Sequence, residues 1–215
     1  MERGTGTSSL PARLYLLACD VEKDQLKWGD ELGYAIRAAT LAELEARGCL
    51  KDDKGRARPA GGHRTGDPVL DGALRSIAEH SRARRWRSLV QRERRETCLA
   101  VEEQLSGAGV VSVERRTLRR KRVTVRDRGL PGALRAEAVA TLAGTEPVGR
   151  VEPARAALAS FAALARLCPE LNWRVRHQHR RRLKELTARA GVAGPALKKA
   201  LDMRAAANSS GSAGG

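Results

Sequence analysis

The sequence predicts a mainly α-helical single domain, a helical bundle with a protruding basic β-hairpin. Three observations carry this. Apolar residues recur at helical spacing through most of the chain. Aromatic residues make up only 3% of it, so the interior must be filled by Leu, Ala, Val and Ile, which suits close-packed helices better than a β-sandwich. After Gly109 the period changes from helical to alternating, and a dense basic tract sits between the alternating segments. At 215 residues the chain fits one domain. Residues 1–9, rich in Gly, Ser and Thr, predict a flexible arm, residues 10–207 the domain, and residues 208–215 a disordered tail.

The first ordered element is expected over Leu10–Cys19. Its apolar run is too short to cross a bilayer, and no secretory signal or membrane span is expected. Trp28–Gly48 follows, with Gly29-Asp30 as turn and N-cap and Gly48 as C-cap. Leu32, Ile36, Ala39 and Leu44 take one face, which Arg37 interrupts, while Glu31, Glu43, Glu45 and Arg47 take more exposed positions. Trp28 and Arg37 are nine residues apart, on opposite sides of any helix carrying both at about 100° per residue. They share a site only if Trp28 lies in the preceding loop. Otherwise Trp28 caps the core and Arg37 pairs with a nearby carboxylate. Lys51–Thr65, charged and Gly-rich, reads as a loop or frayed hairpin.

Helical patterns continue over Pro68–His80 and Arg82–Ser106. Val110, Val111, Val113, Val123 and Val125 then outline a two-stranded hairpin whose tip or outer face is Glu114–Arg122. Helices resume at Leu130–Leu142, Pro153–Cys168, Asn172–Arg189 and Gly194–Ala207, with Pro153 and Pro195 in first turns and Gly191–Gly194 as a break.

The 41 Lys and Arg against 25 Asp and Glu give a net charge of +16, which points to an anionic partner: nucleic acid, phospholipid headgroups or an acidic protein. Arginine clusters recur at 82–87, 92–95, 115–122 and 174–182. Solvated faces are the plain reading of such runs, although their number exceeds what solubility needs. Cys19, Cys49, Cys98 and Cys168 are dispersed in apolar contexts, as buried reduced thiols and a cytosolic compartment would have them. His177 and His179 diverge by about 200° on a helix and cannot hold one metal ion from one face. GGHRTG lacks the Lys-Ser/Thr ending of a phosphate loop, and no nucleophile–His constellation is visible. No metal, cofactor or enzymatic activity is expected. Nucleic acid ranks second as partner, because three tryptophans make a poor set of stacking platforms.

Four segments resemble the Golgi phosphoprotein 3 family: LPARLYLLACD at 10–20, WGDELGYAIRAATLAELEARG at 28–48, TGDPVLDGAL at 65–74 and VEEQLSGAGVV at 101–111. EPARAALASFAALARL at 152–167 and GPALKKALDM at 194–203 match in order and character. The resemblance implies a helical domain with a pocket for phosphatidylinositol 4-phosphate, and an adaptor that rides on a membrane from its cytosolic face and holds the cytosolic tails of membrane proteins. It places Trp28, Arg37 and Arg95 at the lipid headgroup. The family's second paired arginine falls on Cys98, so Arg92 or Arg94 is left to compensate. Family members with an apolar hairpin loop use it for membrane attachment and self-association. Here Arg115, Arg116, Leu118, Arg119, Arg120, Lys121 and Arg122 stand there, which implies electrostatic attraction to an acidic phospholipid surface, or else a solvated ribbon. The alternatives carried forward are a nucleic-acid-binding basic protein and a protein-interaction scaffold without lipid binding.

Overall fold

The computed structural model describes residues 9–26, 29–61, 64–80, 82–116 and 120–211. Helix α1 (Leu10–Leu17) carries Pro11 in its first turn, where the missing N–H has no partner to lose. Strands β1 (Cys19–Asp20) and β2 (Gln25–Leu26) pair antiparallel before α2 (Asp30–Ala46), whose chain exit passes through Gly48 at φ 71°. Strands β3 (Leu50–Asp53) and β4 (Arg56–Pro59) then form a hairpin with Asp53 opposite Arg56. Its two-residue turn puts Lys54 at φ 51° and Gly55 at φ 79°, a type I′ geometry that matches strand twist. Lys51–Thr65 is thus partly a regular hairpin. Helix α3 (Pro68–Ala78) is capped by Asp67, whose Oδ1 accepts from the Val69 and Leu70 amides at 2.9 and 3.1 Å.

The continuous helix expected over Arg82–Ser106 is three elements instead: β5 (Arg84–Arg85), which adds to the edge of β4, then α4 (Trp86–Gln91) and α5 (Arg94–Gly107). The break has a definite backbone cause. Arg92 is extended, at φ −96° and ψ 155°, and Glu93 is left-handed, at φ 50° and ψ 29°. Strands β6 (Val111–Arg116) and β7 (Arg120–Val125) make the expected hairpin, with Val111, Val123 and Val125 buried on one face. Helix α6 (Leu130–Ala143) follows, and then α7 (Pro153–Leu164), which stops just before Arg166 at φ 56°. The stretch Asn172–Arg189 divides at His179 into α8 (Trp173–Gln178) and α9 (Arg180–Arg189). Helix α10 (Ala193–Gly211) runs past Ala207, so Asn208–Gly211 continue it.

Helix α2 is the axis of the domain. It is buried on nearly all sides, from Leu32 through Leu44, and packs against α1, α4, α5, α7 and α10. Ala35, Ala38, Ala39 and Ala42 let those neighbours approach closely. Its two C-terminal acids are used rather than solvated. Glu43 Oε2 accepts from the Leu10 amide at 2.6 Å, and Glu45 Oε2 from the Val192 amide at 3.0 Å, so α2 satisfies free donors at the starts of both α1 and α10. Burial raises the Glu45 carboxyl above its ordinary value, and the Val192 amide works against that rise. The second apolar centre is α7, buried from Ala156 to Ala163 around Phe161, the only phenylalanine of the chain.

The hairpin is held to the bundle by charge as well as by valines. Tyr15 Oη donates to Glu102 Oε2 at 2.5 Å, and Lys121 pairs with the same buried carboxylate. Burial, and then the bond to Glu102, push the Tyr15 phenol far above its usual range. All four cysteines are free and buried, and burial pushes the Cys19 and Cys98 thiols up to about 12 and Cys168 to about 11.

Two outcomes follow. Phe161→Ala removes a fully buried ring from between helices and is expected to lower unfolding free energy by about 3–5 kcal/mol in a urea titration. A chromogenic thiol reagent at neutral pH should label the native protein slowly at all four cysteines and release the full four equivalents once denaturant is added. Rapid native labelling would contradict the burial.

Candidate functional site

The expected site begins at the start of α2, and Trp28 itself lies outside the described residues. Asp30 and Glu31 supply first-turn acids, and Arg204 of α10 bridges them, with Nη2 3.2 Å from Asp30 and Nη1 2.6 Å from Glu31. One turn further, Gly33 meets the start of α5. A Cβ there would lie 3.2 Å from Arg94 Cβ, so the glycine lets the two helices touch. The Arg94 guanidinium then lies over the Tyr34 ring, 4.1 Å from its centroid.

Arg37 sits one turn deeper and does not face solvent. Only 1% of its surface is exposed. Nη2 pairs with Glu93 Oε2 at 2.9 Å, Nη1 donates to Thr97 Oγ1 at 3.2 Å, and Nε donates to the Leu89 carbonyl at 3.3 Å, near the C-terminal end of α4. The plainer of its two sequence readings, pairing with a nearby carboxylate, describes its contacts. Burial works against its charge and the Glu93 carboxylate works for it.

Glu93 is the residue that sequence reasoning missed. Its second oxygen accepts from Ser76 Oγ at 2.5 Å, and its backbone carbonyl accepts from Thr97 Oγ1 at 2.6 Å. One side chain therefore joins α2, α3 and the α4–α5 turn, and its left-handed backbone is the conformation that turns it inward. The only sequence signal was a single acid inside the tract Arg92–Arg95. Its inward turn leaves that tract with arginines outside. Arg92 and Arg95 are exposed and have no ion-pair partner among the described residues, and Arg94 is half-buried on Tyr34.

The other expected residues are placed differently. Cys98 is 1% exposed and faces inward, close enough to Glu102 to feel its charge, so the position that the resemblance gives to a second arginine belongs to the core. Lys121 is turned to buried Glu102, and Arg122 Nε lies 3.4 Å from Asp24 Oδ2. Both are engaged within the domain instead of presenting free charge to a surface. Leu118 and Arg119, with the side chains of Arg115, Arg116 and Arg120, lie outside the described residues. Among the described residues, no helix is long and apolar enough to cross a membrane, and no three His, Cys, Asp or Glu side chains converge as a metal set would.

The pairing makes a stability prediction. Glu93→Ala leaves the Arg37 guanidinium buried without its carboxylate, and the expected loss is about 3 kcal/mol or more in denaturant unfolding. Arg92→Ala, at an exposed position, should stay within about 0.5 kcal/mol of the parent in the same measurement.

The family model described as Golgi phosphoprotein 3 (GPP34) matches residues 10–204, from the start of α1 into α10. No curated protein matches the chain. With nearly its whole length covered by that model, and a helical domain built on the matching segments, the chain belongs to the Golgi phosphoprotein 3 family.

Proposed function

We propose that this protein is a non-catalytic peripheral membrane protein that binds acidic phospholipid headgroups from the aqueous side, with phosphatidylinositol 4-phosphate as the headgroup the family implies. One observation carries the reading: Glu93 is committed to Arg37, and Arg92, Arg94 and Arg95 stand at the α4–α5 turn with no ion-pair partner among the described residues. A phosphomonoester presents up to two negative charges and three acceptor oxygens, which suit paired guanidinium donors. Arg92 and Arg95 meet the phosphate. Arg94, already stacked on Tyr34, loses little further freedom on joining them.

Arg37 contributes as a positioning residue. Through Glu93 it fixes the turn on which the outer arginines stand. Trp28, just before α2, packs at the boundary between headgroup and acyl chain. The basic hairpin adds general attraction to an anionic surface, and its tip is also the proposed route to self-association. The protein works at the cytosolic face, where it serves as an adaptor for the cytosolic tails of membrane proteins.

The nucleic-acid reading has one observation in its favour. Trp173 is 65% exposed, with the Arg174 guanidinium 5.6 Å from its ring centroid, a pair suited to base stacking. Nucleic acid retained through purification, seen as a raised 260/280 absorbance ratio, would support it over the lipid reading.

Sedimentation with phosphatidylcholine vesicles tests the proposal. Vesicles carrying phosphatidylinositol 4-phosphate should bind more protein than vesicles carrying phosphatidylserine at equal total charge. Arg92→Ala with Arg95→Ala should weaken that association roughly tenfold or more, and added salt should weaken it further. Equal binding to both vesicle types would sink the specific headgroup reading.

A further inference from the structure

A second basic feature lies apart from the α4–α5 turn. Strand β5 pairs with β4 so that Arg85 stands directly opposite Arg56, and Arg84 opposite Ala57. Like charges facing each other across strands are unfavourable unless something neutralises them. Arg82 from the preceding loop and Arg87 from α4 join them around a cleft of about 570 Å³, with His80 at its wall. Among the described residues, no carboxylate lines this cleft.

The nearest acids of the β3–β4 hairpin are used elsewhere. Asp52 Oδ1 accepts from Trp86 Nε1 at 2.7 Å, and Asp53 Oδ2 accepts from Arg58 Nε at 2.5 Å. Arg56 Nη1 donates to the Ala83 carbonyl at 2.8 Å, which orients the guanidinium without neutralising it. Arg87 Nη1 reaches only the Met203 sulfur, at 2.8 Å, a weak neutral acceptor. None of the five arginines has an ion pair among the described residues.

We propose that this five-arginine cleft is a binding site for a small anion carrying two or more phosphate groups. Its volume is in the range of small-molecule sites. Two guanidinium groups can satisfy one phosphate through paired donors, so five match a bisphosphorylated ligand better than a single phosphate. The ligand chemistry has two sources, a soluble bisphosphate or a lipid headgroup bearing two phosphomonoesters. The site does not depend on the headgroup reading above. Six-residue α4, about 9 Å long, separates Arg85 at one end from Arg92 at the other.

Titration calorimetry of the full chain in phosphate-free buffer tests it, with inorganic pyrophosphate and inositol 1,4-bisphosphate as soluble probes and inorganic phosphate as the single-phosphate control. The bisphosphates should bind at least about tenfold tighter than phosphate. Arg82→Gln with Arg85→Gln should remove that preference, and Arg84→Gln alone should weaken it if the double variant melts early. The charge-matched pair Arg180→Gln with Lys184→Gln on α9 should leave it intact. Competition by pyrophosphate against vesicles of phosphatidylcholine with phosphatidylinositol 4,5-bisphosphate separates the sources: displacement assigns the cleft to the headgroup, and soluble binding without displacement assigns it to a free bisphosphate. Equal affinity for phosphate and pyrophosphate overturns the proposal. So does equal loss in the α9 control, tighter binding of a single-stranded oligonucleotide than of either bisphosphate, or loss of pyrophosphate binding in Arg92→Ala with Arg95→Ala, which would make the two basic features one site.

Discussion

A guanidinium buried to 1% exposure must keep its counter-charge, and much of the arrangement at this end of the molecule follows from how Arg37 does so. The chain meets the requirement with Glu93, across 56 positions of sequence, and the backbone pays with a left-handed glutamate, a strain of about 1 kcal/mol or more. Once Glu93 points inward, α4 has to end and α5 has to start in a new direction. Ser76 ties α3 to the same carboxylate, and the Leu89 carbonyl finds its donor in Arg37. A single charge pair thus decides where a helix breaks and which way the neighbouring arginines face.

Much of the fold is legible in the sequence because it rests on local rules. The Asp67 cap and Pro68 at the head of α3, Gly48 after α2 and the valine alternation of the hairpin all state their conformations through neighbours a few residues away. The same rules fail at Arg92–Glu93. A helical pattern runs through Trp86, Leu89, Val90, Leu99, Val101 and Leu105, although Leu99 is 40% exposed, and nothing nearby calls for a left-handed residue, since the cause is a partner in another helix. The break at His179 and the third strand at Arg84–Arg85 escape for a similar reason, as each is settled by packing and pairing at long range.

The site divides in the same way. Periodicity puts Arg37 on the apolar face of its helix while the resemblance sets it at a lipid headgroup, and periodicity gives a face and never a partner. The spacing that sets Arg37 beside a ligand in a family motif is equally compatible with an inward arginine that shapes the surface at one remove. Cys98 makes the complementary point. Its place in the core is readable from apolar spacing in α5, and burial beside Glu102 explains why a small thiol suits that position. By sequence Lys121 belongs to the basic tip, and only the three-dimensional structure turns it to Glu102.

Helix α10 meets α2 at both ends, through Val192 on Glu45 and through Arg204 on Asp30 and Glu31. The two helices therefore run antiparallel with a fastening at either extremity, and a one-turn ratchet of α10 would have to release both at once. A domain fastened in this way does not signal by sliding its long helices. The scaffold that spaces the two basic rims therefore keeps its dimensions, and any local change at them falls to side chains and short turns.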